Sequence, residues 1–334
     1  MTKQTWKYFA TSVLLLGFAL SASPSLAQSL FIGSHSRAGE RTEQRTGNLA
    51  GPSSLEQSPV PGTLSVINFG TIDFPGAPDS AAFSLNNKGQ VVGGYGPDLN
   101  VTLADSGFVL TKDSFKIINF PGAAQTESIG INNAGEVVGS YIDLAGNFHG
   151  FTLVTGVYSS LDFPGAVFTI AIGINDSGEI TGGYTDSSNV THGFSLAGGI
   201  YTSIDPPGST FTEAGGINKS GEIVGDYTDS SGNFHGFLLA GGIFTTIDFP
   251  GAASNQLAGI NDLGVVVGAY GDGNPPFFQQ HGYVFYKGQY LSVDVPFVGA
   301  GATAVTGINK SGQIEGFYID TALREYGFTA TFVP

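Results

Sequence analysis

The residues best suited to chemistry in this sequence are four histidines, each of which follows an aspartate across a short polar segment. A carboxylate and an imidazole at the two ends of a loop can work as an acid–base pair or contribute to a metal site, since histidine is donor, acceptor and ligand. Four equivalent copies favour a structural brace instead, because catalysis requires distinct roles for nucleophile, base and orienting group. We therefore predict structural pairs, and assign no catalytic residue and no metal site. The pairs are Asp143/His149, Asp186/His192, Asp229/His235 and Asp272/His281.

Two polar loops in the same region carry oxygen-rich side chains. Residues 143–147 and 229–233 combine Asp, Gly and Asn, which offer the oxygens that a hard cation such as calcium prefers. The loops lack the acidic spacing of an EF-hand, and the same composition is typical of an ordinary turn. The sequence therefore predicts no cofactor, with calcium as the alternative.

A second set of candidate residues lies in the longest insertion of the chain and in the connection that follows it. Phe277 and Phe278 stand beside Gln279 and Gln280, and Phe297 comes soon after. Aromatic rings next to amide groups can stack on a sugar or hold a peptide. The alternative is that the rings fold inward and cover the edge of a sheet. We predict these five residues as ligand-binding.

Composition excludes several classes of protein. There is no cysteine, so disulfides, thiolate metal sites and cysteine nucleophiles are absent. Twelve Lys and Arg against 27 Asp and Glu give a net charge of −15, which argues against nucleic acid as a partner. No phosphate-binding loop, G-x-S-x-G elbow or H-E-x-x-H helix occurs. The case for an enzyme is correspondingly weak.

The elements that must position these side chains follow a repeat of about 43 residues. The phrase G-I-N-x-x-G-x-V-V-G-x-Y places its Asn at Asn86, Asn132, Asn175, Asn218, Asn261 and Asn309. The phrase D-F-P-G, or a variant, begins at Asp73, Asn119, Asp162, Asp205, Asp248 and Asp294. The phrase His-Gly-Phe, or a variant, centres on Gly107, Gly150, Gly193, Gly236, Gly282 and Gly327.

Each unit predicts four short antiparallel strands. Residues 222–229 alternate in the period-two manner of a strand, and turn residues separate them from the strands on either side. Four-stranded repeats of this length are typical of a β-propeller. The repeat region opens with a lone fourth strand in residues 63–74 and closes with three strands in residues 303–333. We therefore predict an all-β, six-bladed β-propeller, closed by pairing of the N-terminal strand with the C-terminal blade; the alternatives are an open solenoid or two separate sheets.

The repeats resemble those of the extracellular HAF-repeat family, named for a His-Ala-Phe element. The element is His-Gly-Phe at His149, His192 and His235 and His-Gly-Tyr at His281, so Gly replaces the Ala of the family throughout. The likeness covers residues from about 63 to 334, and the first and last copies carry Ser106 and Tyr326 in place of His. The resemblance implies a β-repeat architecture and a place outside the cytoplasm, and it brings no catalytic residues with it.

The N-terminus predicts export. Lys3 and Lys7 precede an apolar stretch from Phe9 to Ala22 and small residues up to Ala27, as in a secretory signal peptide. A membrane anchor would need about 20 apolar residues, so we expect no membrane span in the mature protein. Residues 28–60 are polar with cancelling charges and predict a flexible leader, and residues 61–334 predict the propeller. The mature protein is predicted to be a periplasmic or extracellular monomer.

The longer connections of the repeat indicate where a partner would bind. In a propeller the connections from second to third strand and from fourth to next first strand share one face, and binding residues concentrate on such loops. We expect an exported, non-enzymatic protein that binds a glycan, a cell-envelope polymer or a protein there. The alternatives are a purely structural surface repeat protein, and a secreted polysaccharide hydrolase or lyase with Asp and His residues lining an axial pocket.

Overall fold

The structure is a computed structural model that describes residues 64–97, 104–273 and 280–334. The predicted signal peptide (residues 1–27) and leader (residues 28–60) lie outside the described residues, as do Phe277, Phe278 and Gln279. No helix in these three described ranges is long and apolar enough to cross a membrane.

Residues in the described ranges form 24 strands in six four-stranded antiparallel sheets, which are the six blades of a propeller. Blades 1 to 3 contain β2 (Asp79–Leu85), β3 (Gln90–Gly96), β4 (Ser106–Thr111) and β5 (Ser114–Ile118); β6 (Gln125–Ile131), β7 (Val137–Ile142), β8 (Phe148–Val154) and β9 (Val157–Leu161); and β10 (Phe168–Ile174), β11 (Ile180–Thr185), β12 (Thr191–Ala197) and β13 (Ile200–Ile204). Blades 4 to 6 contain β14 (Phe211–Ile217), β15 (Ile223–Thr228), β16 (Phe234–Ala240) and β17 (Ile243–Thr246); β18 (Ser254–Ile260), β19 (Val266–Gly271), β20 (Gln280–Tyr286) and β21 (Gln289–Val293); and β22 (Ala300–Ile308), β23 (Gln313–Asp320), β24 (Glu325–Val333) and β1 (Ser65–Ile72).

The predicted closure of the ring is confirmed. Strand β1 pairs antiparallel with β24, from Ser65 opposite Val333 to Ile72 opposite Gly327, and so supplies the outer strand of blade 6. Blade 6 in turn packs against blade 1 through β23 and β2. An open solenoid and two separate sheets are therefore excluded. Because every blade has two neighbours, the ring leaves few strand edges unprotected.

The apolar core lies within each blade and at its junction with the next. The aromatic residue of the His-Gly-Phe phrase is fully buried in every blade, and burying such a ring stabilises the fold by about 1.5–3 kcal/mol. The glycine of the V-V-G phrase makes room for that ring. A Cβ atom at Gly139 would overlap the carbonyl oxygen of Glu127 and lie 2.9 Å from the ring of Phe151.

The repeated asparagine orders the turn between the first and second strands. In blade 2, the Oδ1 atom of Asn132 accepts hydrogen bonds from the backbone N–H groups of Ala134 and Glu136, both at 3.0 Å. Gly135 has a φ of 84°, which glycine adopts without strain. The Nδ2 atom of Asn132 donates outward to the carbonyl of Asn175 in blade 3, at 3.2 Å. One side chain therefore fixes its own turn and connects two blades.

Candidate functional site

The long connections lie on one face of the ring, which we call the long-loop face. Successive strands of a blade run in opposite directions, so the second-to-third and fourth-to-first connections emerge at the same end. Fully described connections of the first kind are residues 143–147, 186–190, 229–233 and 321–324. Those of the second kind are residues 73–78, 119–124, 162–167, 205–210, 247–253 and 294–299.

Two of the five predicted ligand-binding residues belong to the described part of the chain. Gln280 is only 4% exposed and pairs with Gly271 between β20 and β19. Phe297 is half-buried and packs on the core of blade 6, with its ring centroid 6.5 Å from that of Phe69 and 5.3 Å from that of Tyr318. Phe297 therefore contributes to packing at the closure of the ring. The predictions for Phe277, Phe278 and Gln279 concern residues outside the described ranges.

Three of the predicted Asp–His pairs come together on the long-loop face. The Nε2 atom of His149 lies 3.6 Å from Oδ2 of Asp143, and the matching distances are 3.7 Å for His192 and Asp186 and 3.5 Å for His235 and Asp229. Each histidine is the second residue of the third strand of its blade, and its side chain is about a quarter exposed. The loop folds back so that its first residue meets the strand that follows it.

A second aspartate, the first residue of the D-F-P-G phrase or its variant, contacts the other ring nitrogen. Nδ1 of His149 lies 2.9 Å from a carboxylate oxygen of Asp162. The matching distances are 3.1 Å for His192 and Asp205 and 2.7 Å for His235 and Asp248. Nδ1 of His281 lies 2.8 Å from Asp294, while Asp272 lies next to the end of the described part of its loop. The aspartate always stands 13 residues after the histidine, and this constant spacing is the signal that could have revealed it.

Each of these imidazoles also stacks on a tyrosine of the second strand. The ring centroids of Tyr184 and His192 are 5.1 Å apart, and Phe163 stacks on the other side of Tyr184 at 3.6 Å. The same Tyr–His stack occurs in blades 2, 4 and 5. Blade 4 departs from the pattern, because Pro206 stands where the other histidine-bearing blades have phenylalanine. The histidine is therefore held on one ring face and at both nitrogens.

The charges around the histidines are stabilised in their ionised forms. The backbone N–H of Asn147, then its side-chain amide, lowers the pKa of Asp143 to about 2, and Asn233 acts in the same way on Asp229. Desolvation lowers the pKa of His235, but the hydrogen bonds and charges of Asp248 and Asp229 outweigh it, so the pKa of His235 is raised. The arrangement is an imidazole between two carboxylates, which can donate and accept hydrogen bonds at the surface.

The calcium alternative is constrained by the loop's own hydrogen bonds. Oδ1 of Asp143 accepts the N–H groups of Ala145 and Asn147, both at 2.8 Å, and Oδ2 accepts the Asn147 side-chain amide, also at 2.8 Å. Across residues 64–97, 104–273 and 280–334, no group of three or more His, Asp or Glu side chains is placed to hold a metal ion. The prediction of no cofactor, with calcium as the alternative, stays a prediction.

A pocket opens on the long-loop face between blades 3 and 4. Its volume is about 290 Å³. It is lined on the blade 3 side by the start of β12 and by the connection that follows β13, and on the other side by the start of β14. The lining residues are Val190, Thr191, His192, Asp205, Pro206, Pro207, Gly208, Ser209, Thr210 and Phe211. One of the Asp–His pairs is therefore part of a concave, partly apolar surface.

No protein-family model and no curated protein matches the sequence. Among solved structures, the chain is similar to a protein of unknown function from Dyadobacter fermentans, with a TM-score of 0.52 and 9% identity over 82% of this chain and 99% of that one. It is similar to AofleA from Arthrobotrys oligospora, with a TM-score of 0.51 and 11% identity over 78% and 85% of the two chains. A fungal lectin from Aleuria aurantia, described as a six-bladed β-propeller with a novel fucose recognition mode, aligns with a TM-score of 0.48 and 9% identity over 76% and 93%. At such identities the likeness to the first two structures shows the fold alone.

Proposed function

We propose that this protein is an exported, non-catalytic, carbohydrate-binding propeller that holds a glycan on its long-loop face. The observation that carries the proposal is the pocket between blades 3 and 4, where His192 and Asp205 stand beside apolar side chains. The signal-like N-terminus and the resemblance to an extracellular repeat family support export.

The walls of the pocket match the two surfaces of a sugar ring. Phe211 and Pro207 offer apolar surface for the C–H face, and His192 and Asp205 offer a donor and acceptors for hydroxyl groups. Hydrogen bonds to ionised groups are roughly twice as strong as neutral ones. A volume of about 290 Å³ lies just below the range for small-molecule sites, about 300–1,000 Å³. We infer that one or two sugar units bind in this pocket.

Repetition around the ring favours a polymer over a single small sugar. The histidine–aspartate contact recurs in blades 2, 3, 4 and 5, all on the long-loop face. Weak sites that share one face gain apparent affinity for a repetitive ligand because each later binding event is intramolecular. A glycan chain of the cell envelope, or of a neighbouring cell, is a repetitive ligand of this kind.

The hydrolase alternative required aspartates and histidines in an axial pocket. In the described ranges, the titratable groups that line the cavity at the axis are Glu127, Glu213 and Asp226. The histidines lie instead at the second residue of the third strands, and in each blade the imidazole contacts an aspartate of the next connection. Equivalent surroundings in several blades favour recognition over an asymmetric catalytic set.

A glycan array probed with the chain from residue 28 onward tests the proposal. We expect binding to a defined group of glycans, and at least tenfold weaker binding for Asp205→Asn, which keeps the shape but removes the charge. Asp113→Asn is the matched control, because it makes the same change in the exposed turn between β4 and β5, on the opposite face of the ring. Circular dichroism establishes that both variants are folded. No glycan binding, or equal loss in both variants, would overturn the proposal.

A further inference from the structure

A second cavity lies at the centre of the ring, between the innermost strands. We call it the axial cavity; its volume is about 140 Å³. A ring of six aliphatic side chains closes it towards the short turns, since the same six also line a shallow depression on that face. The six are Leu85, Ile131, Ile174, Ile217, Ile260 and Ile308.

Three carboxyl groups line this otherwise largely apolar space. Glu127 is 4% exposed, and Glu213 and Asp226 are each 8% exposed. Glu213 and Asp226 face each other between β14 and β15. Among the described residues, none donates a hydrogen bond to these carboxyl groups, and none of the cavity-lining residues is Lys, Arg or His. Burying an ionised carboxyl group without a partner costs several kcal/mol.

The fold itself does not require these acids, because other blades place neutral residues at the same positions. The positions equivalent to Glu127 and Glu213, five residues before the repeated asparagine, hold Ala81, Ile170, Gln256 and Ala304. The positions equivalent to Asp226, one before the repeated tyrosine, hold Gly94, Ser140, Gly183, Ala269 and Phe317. Each neutral alternative sits in a well-formed blade. The fold therefore does not explain why these three positions carry acidic residues.

The cavity exists because the six inner strands carry side chains of different size at one level of the axis. Three residues before the asparagine, blades 1, 2 and 3 carry Phe83, Ile129 and Ile172, whereas blades 5 and 6 carry Ala258 and Thr306 and blade 4 carries glycine at 215. Large side chains thus fill one half of the ring and small ones leave the other half open. The open half lies on the side of Glu213 and Asp226, which belong to blade 4.

We propose that the axial cavity binds a small organic ammonium ion, whose charged nitrogen is held by the facing pair Glu213 and Asp226 and whose apolar part packs against the ring of six aliphatic side chains. The size fits a molecule of about six to eight heavy atoms, because an engineered protein cavity of about 150 Å³ accommodates benzene. A neutral ligand of the same shape would leave the carboxyl groups unpaired.

The electrostatics agree with a cationic guest. Burial raises the pKa of Glu127 and of Asp226 to about 8, and burial together with the charge of Asp226 raises the pKa of Glu213 well above its ordinary value. Burial therefore favours the protonated forms of these carboxyl groups, and a cation beside them favours their ionised forms. Binding should release protons to the buffer.

Calorimetry with paired probes tests the proposal on the chain from residue 28 onward. The probes are n-pentylammonium and cyclohexylammonium, compared with n-pentanol and cyclohexanol. We expect each ammonium ion to bind at least tenfold more tightly than its alcohol, with a heat that changes with the ionisation enthalpy of the buffer. Equal binding of ammonium ion and alcohol, or no binding of either, would overturn the proposal.

Variants of residues that line the axial cavity test whether the ammonium ion binds there. Glu213→Gln and Asp226→Asn keep the shape of the side chains and should each weaken ammonium binding at least tenfold. Ala258→Ile, which introduces the residue found at the equivalent position in blades 2 and 3, should fill the cavity and abolish binding without touching a carboxyl group. Unchanged affinity in Ala258→Ile contradicts the proposal even if a carboxyl variant fails to fold. Glycan binding on the long-loop face should persist in all three, so the two proposals fail independently.

Discussion

The side-chain amide of Asn309 donates a hydrogen bond to the backbone carbonyl of Asn86, with an N–O distance of 3.2 Å, where blade 6 meets blade 1. The two residues are 223 positions apart in the chain. The same bond joins each earlier blade to the next, at distances of 3.0–3.3 Å. The members of this closed ring are Asn86, Asn132, Asn175, Asn218, Asn261 and Asn309. Blade 6 and blade 1 are thus joined in the same way as covalently successive blades.

Replacing Asn309 by alanine should destabilise the protein by about 2–4 kcal/mol, because a buried carbonyl loses its donor and a turn loses its acceptor. Urea unfolding followed by tyrosine fluorescence measures the change. Lys310→Ala is the control, because only the backbone N–H of Lys310 takes part in the contact with Asn87. This variant should change the free energy of unfolding by no more than about 0.5 kcal/mol. Equal stability of the two variants would contradict the role of the ring.

Removing the first strand should open the propeller. A chain that begins at residue 77 lacks β1, so the edge of β24 is left unpaired and Phe328 loses its contact with Phe69. An unpaired edge is a template for pairing with another chain, so we expect aggregates or strand-exchanged oligomers. Light scattering after size-exclusion chromatography distinguishes them from the monomer expected of a chain that begins at residue 61. A stable monomer of the shorter chain would show that β1 is dispensable.

The stability of the fold should fall as the pH rises from about 5 to about 8. Burial raises the pKa of Glu315 from 4.5 to about 8, although the hydrogen bond from Thr306 opposes the shift. The folded state therefore binds a proton that the unfolded state has lost, and the stabilisation present below pH 4.5 disappears as the pH passes through the folded pKa. The slope from one such group is about 1.4 kcal/mol per pH unit.

Glu315→Gln measures the contribution of that single carboxyl group. The variant should be more stable than the parent at pH 8 and differ little from it at pH 5, because the amide stays neutral throughout. Urea midpoints at the two pH values provide the comparison. A variant whose advantage is the same at both pH values would assign the effect to packing rather than to proton binding.

The hairpin turn of blade 2 carries a residue that is poorly suited to its backbone. Thr155 has a φ of 50° and Gly156 one of 84°, as in a type I′ turn. A β-branched residue is strained in this region, whereas asparagine tolerates it. Thr155→Asn should therefore raise the free energy of unfolding by about 1 kcal/mol. Thr202→Asn, on the exposed outer strand β13, should bring no gain, and a melting temperature raised equally by both would refute the explanation.

Several features of the site were predictable because they depend on residues close in sequence. The loop from Asp143 to His149 brings its ends together by a short turn, and the spacing alone predicted that contact. The contact between His149 and Asp162 was not predicted, because a whole strand, β9, and its turn lie between them. It arises from the register of β8 with β9, where Gly150 stands opposite Leu161.

The sequence by itself determined the number of blades, the four strands in each and the closure of the ring. These properties follow from local rules, namely alternation of side chains, turn residues at constant positions, and complementary fragments at the two ends. Only the tertiary structure decided which side chains of different repeats meet at the axis. Glu127 and Glu213 belong to blades 2 and 4, and their shared cavity depends on six inner strands converging and on which of them carry small residues. The periodic spacing of residues predicts the strands of each blade. Which side chains line the axial cavity depends on the positions at which the blades differ from one another.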